Sequence, residues 1–183
     1  MKRILILLLI VAVVLSACNV IKKDNPSTGN NEDNIDETVD LKSEEKEIVL
    51  YFANSQAQYV VPEKRTIEVE KGISSAKFAR IVLEELIKGP TEENLYRTIP
   101  SEVKVLNVEI QDEMVFVDFS KEMHTKHWRG AAGEDMTISS LVNTMTELEG
   151  IKKVLPSVEG MALNIEHMVV DEPLERLEDK IYK

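Results

Sequence analysis

The chain has 183 residues, with 33 acidic against 22 basic side chains and a formal net charge of −11. An acidic excess of this size excludes a phosphate-reading nucleic-acid surface, which needs clustered Lys and Arg, and it opposes a folded domain lying flat on anionic lipid. Aromatic residues make up only 5% and there is a single cysteine, so a stacking platform, a disulfide within the chain and thiol catalysis in the folded part are all disfavoured.

At the N-terminus, Lys2 and Arg3 precede an unbroken apolar run from Ile4 to Leu15. A membrane-spanning helix needs about 20 apolar residues, so this run fits a removable signal-peptide core of about 7–15 residues. Leu15-Ser16-Ala17-Cys18 follows and resembles the lipobox of bacterial lipoproteins. The small side chains at 16 and 17 let the backbone enter a peptidase cleft, and the Cys18 thiol accepts the diacylglycerol. The expectation is cleavage of residues 1–17 and a lipid anchor on Cys18, with acyl chains of the palmitate type holding the chain on the extracytoplasmic face of the cell membrane. Two chains, at about 0.8 kcal/mol per buried methylene, anchor stably where one is marginal. Loss of Lys2 and Arg3 leaves the mature chain at −13.

Residues 18–47 read as an acidic, disordered linker. The stretch is rich in Asn, Asp, Glu, Ser and Thr, with Pro26 and Gly29 as breakers, and it has too little apolar surface to offset the entropy of ordering. As a flexible coil its r.m.s. reach is about 30 Å. It has no apolar stripe of helical period.

The domain is expected to begin at Ile48, with a buried strand over Ile48–Phe52. A short strand from Gln58 to Val61 should end at Pro62, and Thr66–Val69 should be extended. Ser74 and Ser75 offer an N-cap for a helix whose apolar face is Ala76, Ala79, Leu83 and Leu86, widened by Val82 and Ile87. Gly89 and Pro90 end it. Val103–Ile110 and Met114–Phe119 read as a hairpin, with Val115, Val117 and Phe119 on one face. A loop from Ser120 to Ala132 leads to a second helix over Gly133–Leu148. Ile151–Val158 reads as a last core strand, followed by an extended segment at Leu163–Val169. Strands, helix, hairpin, helix and strand in this order predict an α+β two-layer sandwich, a mostly antiparallel sheet with two helices on one face.

No catalytic constellation stands out. His124 and His127 with Glu122 have metal-ligand chemistry but match no zinc spacing, and solvated loop residues are the better reading. His167 is isolated. Asp118 and Glu122 are conceivable paired carboxylates, but Asp118 at a strand end is better read as a structural polar group that caps a neighbouring backbone. Ser139, Ser140 and Thr144 are placed on the polar face of the second helix, with no nucleophile elbow around them. Asn143 interrupts an apolar region, where an amide can tie the helix to adjacent backbone. Trp128 and Arg129, in the loop, are residue types enriched at interaction hot spots; the alternative is that Trp128 folds back as a lid on the sheet. No enzyme activity, metal or other cofactor is expected.

The segments Leu50-Tyr51-Phe52, Tyr59–Arg65, Leu83–Thr91, Ile99-Pro100, Val115–Glu122, Leu141–Glu147, Gly150–Val154 and Val158–Gly160 together resemble, in this order, the GerMN family, the sporulation and spore germination domain. The resemblance covers residues 48–175 and leaves 176–183 as a charged tail. It implies a fold like the ring-building modules of sporulation channels and secretion machines. It also implies a non-enzymatic, extracytoplasmic interaction module, with envelope or sporulation proteins as partners and weak self-association. Binding of a cell-wall fragment or small molecule is the alternative function.

Overall fold

The computed structural model describes residues 42–183 apart from Arg129. The predicted signal peptide, Cys18 and the linker up to residue 41 lie outside the described residues, as does Arg129.

Strands β1 (Ser43–Ala53) and β2 (Val60–Glu70) form a long antiparallel hairpin. β1 thus starts five residues before Ile48, because Ser43–Glu47 pairs with Thr66–Glu70 of the returning strand. The expected break at Pro62 does not occur. Pro62 pairs with Tyr51, and the backbone N–H and C=O of Tyr51 bond away from β2, to the hydroxyls of Thr144 and Ser140. Opposite such a residue a strand needs no donor, so proline is tolerated there.

Helix α1 (Ser75–Lys88) starts at Ser74, whose hydroxyl accepts from the Lys77 N–H, and it buries Ala79, Val82, Leu83, Leu86 and Ile87. Strands β3 (Val105–Gln111) and β4 (Met114–Phe119) then form the expected hairpin, closed by Asp112 and Glu113 at positive φ (48° and 64°), as the tightest hairpin turns require. Val115, Val117 and Phe119 are fully buried. The loop that follows holds one helical turn, α2 (Glu122–Thr125), before α3 (Ala131–Met145).

β5 (Lys153–Val158) pairs parallel with β4 along its whole length. On its other edge it takes two short antiparallel partners, β6 (Met161–Ile165) and β8 (Leu174–Glu175), while β7 (Met168–Val170) pairs with β6. Leu155 and Pro156 lie in the gap between those partners, where Pro156, lacking an N–H, leaves no donor stranded. The architecture is α+β, with a two-stranded and a six-stranded sheet rather than one continuous layer.

α3 explains the division. It packs on β1, on β5 and on α1, and eleven of its residues are buried, including Ser139, Ser140, Asn143 and Thr144. The expectation of a solvent-facing polar side at Ser139, Ser140 and Thr144 is therefore corrected. Ser140 and Thr144 act in place of a neighbouring strand for β1, since an uncovered edge there would bury unpaired backbone groups. Beyond them, Ala53 exchanges both backbone hydrogen bonds with Tyr96 (3.1 and 2.8 Å). No helix among the described residues is long and apolar enough to cross a membrane.

Candidate functional site

Most of the buried polar chemistry holds joints. At the C-terminus of α1 the last carbonyls would be orphaned, and two arginines take them. Arg65 donates to the oxygens of Glu85 (3.3 Å) and Gly89 (3.1 Å), and Arg97 to those of Ile87 and Lys88 (2.6 Å). Arg65 is held in turn between the carboxylates of Glu63 and Glu85. Glu63 also accepts from the N–H groups of Thr91 (2.8 Å) and Glu92 (3.1 Å). Burial pushes the Glu63 carboxyl up, but Arg65 and these amides outweigh it and hold it below its ordinary value. The Tyr59–Arg65 and Leu83–Thr91 segments thus meet at one structural knot.

A second joint fastens the C-terminal segment. The Arg176 guanidinium bonds Glu147 and the Tyr51 hydroxyl, and that hydroxyl donates to Glu147. Burial, and then the hydrogen bond to Glu147, push the Tyr51 phenol up to about 12. Asn143 is fully buried and meets Leu177 twice, its side-chain N–H donating to the Leu177 oxygen (3.1 Å) and its oxygen accepting from the Leu177 N–H (2.9 Å). Asp118 accepts from the Ser157 hydroxyl (2.7 Å) and the Gly160 N–H (2.9 Å), bracing the β5–β6 turn.

A third group of polar side chains gathers where the α2–α3 connection meets the β6–β7 turn. His127 donates from Nδ1 to the Trp128 oxygen (2.6 Å), and its Nε2 lies 2.7 Å from the Thr137 hydroxyl. Burial pushes this imidazole below its ordinary value. His124, 40 residues upstream in the pairing, accepts at Nε2 from the Asn164 N–H (3.4 Å). A cavity of about 590 Å³ opens here, lined by His124, Thr125, His127, Trp128, Ile165 and Glu166. Glu122, the third member of the loop trio, is not on its wall. His167 is not isolated: its Nδ1 lies 3.2 Å from Glu134 and 3.7 Å from Glu166. Nothing in the sequence pattern joins Glu134 to Glu166 and His167, since a helix start and a hairpin turn 32 residues apart share no motif.

Trp128 stands 42% exposed between this cavity and a second one of about 250 Å³. The second cavity is mainly apolar, with Ala53, Ala57 and Met136 on its wall and Tyr96, 54% exposed, beside it.

Solved structures that share this fold include GerMN domains and a clostridial protein. The tandem GerMN domains of the sporulation protein GerM from Bacillus subtilis align with a TM-score of 0.59 at 21% identity, covering 76% of this chain and 48% of that one. This chain spans about half the length of that tandem protein. The first GerMN domain of the same protein gives 0.52 at 18% identity, covering 73% and 98%. A Clostridium perfringens protein assigned as a lipoprotein gives 0.51 at 21% identity, covering 72% and 87%. No curated protein matches the sequence. Residues 49–164 match the Germane family, sporulation and spore germination, and this chain belongs to that family.

Proposed function

We propose that this chain is a lipid-anchored, extracytoplasmic module that docks envelope or sporulation proteins and catalyses no reaction. Anchoring is supported by the Leu15-Ser16-Ala17-Cys18 segment behind an apolar signal-like run, and by a fold neighbour from Clostridium perfringens assigned as a lipoprotein. The docking reading rests on one observation. Trp128 and Tyr96 stand half out of the surface around an apolar cavity, whereas Arg65, Arg97, Arg176, Glu63 and Glu147 are committed to structural joints. Large aromatics at the rim of a pocket are the residues that carry binding energy in protein interfaces. Weak self-association through the same surface is opposed by the charge of −13 carried by each mature copy and strengthens as salt screens it.

The test is a photo-crosslinking residue at position 128 of the full-length lipoprotein in intact cells. The expected result is a discrete adduct with another protein that is lost when Tyr96→Ala is added. An adduct with the chain itself identifies a second copy as the partner. No protein adduct under growth, sporulation or germination conditions refutes docking through this surface.

A second reading, capture of a cell-wall fragment or small molecule, is favoured by the polar cavity beside His124 and Glu166. Equilibrium binding of muropeptides that is unaffected by His124→Ala would remove it.

A further inference from the structure

The cluster at the β6–β7 turn goes beyond the docking reading and is independent of it. Glu134 lies in the first turn of α3, yet only 2% of it is exposed. A carboxylate buried this far carries a large desolvation cost unless opposite charge offsets it. Among the described residues its one ion-pair partner is His167, and the contact is made by Nδ1 of a ring that is 74% exposed. The His167 backbone N–H also donates to the same Glu134 oxygen (3.2 Å).

Glu166 completes the group. One oxygen from each carboxylate and one imidazole nitrogen lie within 4.8 Å of one another. The edges from His167 Nδ1 measure 3.2 Å to Glu134 and 3.7 Å to Glu166. Zinc bonds of about 2.1 Å at tetrahedral angles require edges of about 3.4 Å, so both measured edges fit a metal ion with little movement. The Gly130 N–H donates to Glu166 Oε2 (2.8 Å), the kind of outer hydrogen bond that orients a ligating carboxylate. Glu166 also lines the cavity of about 590 Å³, which leaves room for water or a further donor as the next ligand.

We propose that Glu134, Glu166 and His167 form a binding site for a divalent metal ion of the zinc class. One imidazole nitrogen with two carboxylates is a borderline donor set, suited to zinc and its first-row neighbours rather than to calcium. Ligation needs a lone pair on Nδ1, so the ion takes the place of the present Nδ1–Glu134 contact. The charge of the metal then offsets the burial of Glu134 and pins the β6–β7 turn to the start of α3. No catalysis is implied; the ion would brace the loop that carries Trp128.

The test uses untagged, acylated full-length protein in detergent, stripped with EDTA, and titrated with ZnCl2 by calorimetry and with CoCl2 by visible absorption. The expected result is one equivalent bound, a rise in Tm with zinc, and cobalt d–d bands of a four- or five-coordinate site. Glu166→Gln and His167→Ala, both at solvent-accessible positions, should each weaken binding by at least about 10-fold and remove the Tm rise. Glu134→Gln should do the same if it folds, but the two accessible variants decide the matter without it. The absence of saturable zinc binding by the wild type would overturn the proposal. So would zinc affinity unchanged in the Glu166→Gln, His167→Ala double variant, which would place the metal elsewhere.

Discussion

Gly89 is the position at which the α1 joint is most sharply exposed to test. Its φ of 88° and ψ of 177° lie in a region that glycine alone occupies readily, and any other residue held there is strained by about 1–3 kcal/mol. A Cβ at this position would also sit 2.8 Å from both Cζ and Nη2 of Arg97. The Arg97 head group can swing away, but it then gives up the oxygens of Ile87 and Lys88. Two hydrogen bonds at about 1 kcal/mol net each add to the strain, so Gly89→Ala should lose about 3–5 kcal/mol. Arg97→Ala alone should lose about 2 kcal/mol. In the Arg97→Ala background Gly89→Ala should cost only the backbone part, giving a coupling of about 2 kcal/mol. Urea denaturation of a soluble form lacking residues 1–38, read at constant m-value, measures all three. Gly89→Ala within about 0.5 kcal/mol of wild type would refute the account of the joint. An equal cost in both backgrounds would refute the part assigned to Arg97.

Three further outcomes are expected. Glu63→Gln keeps one acceptor but loses the charge that faces Arg65, and should cost about 1–3 kcal/mol at neutral pH. Because folding holds the Glu63 carboxyl below its ordinary value of 4.5, its contribution is present above that value and lost as pH falls through the folded one; denaturation midpoints taken from pH 7 down to 3 should therefore fall less steeply for Glu63→Gln than for wild type. Thr144→Val strands the Tyr51 N–H, and Ser140→Ala strands the Tyr51 oxygen, so each should lose about 1–3 kcal/mol by thermal or urea unfolding; neutral effects would mean that water reaches the edge of β1. Cys18→Ala should abolish metabolic labelling by palmitate and release the chain from salt-washed membranes or leave it unprocessed, while normal maturation and retention would contradict the anchor.

Local signals carried much of this chain into view. The 3.6-residue stripe of α1, its Ser74 cap and its Gly89 stop are neighbour effects, as is the period-two pattern of Val115, Val117 and Phe119; each depends on residues a few positions apart, and each is found where the pattern put it, except that Ala76 in the first turn of α1 is only half-buried. The run of segments from Leu50 to Gly160 was also sufficient to indicate the family. Boundaries and polar roles were not legible in the same way. Pro62 reads as a stop because the sequence does not reveal that its partner, Tyr51, turns its backbone groups toward α3. Ser140 and Thr144 read as solvent-facing because period alone cannot distinguish a helix with water on one side from a helix with a strand edge on that side. His167 reads as solitary because its neighbours, Glu134 and Glu166, reach it through a helix start and a hairpin turn. Hydrophobic periodicity encodes which residues leave water, but the pairing of a buried polar group depends on where distant backbone lies, and only the tertiary structure decides that.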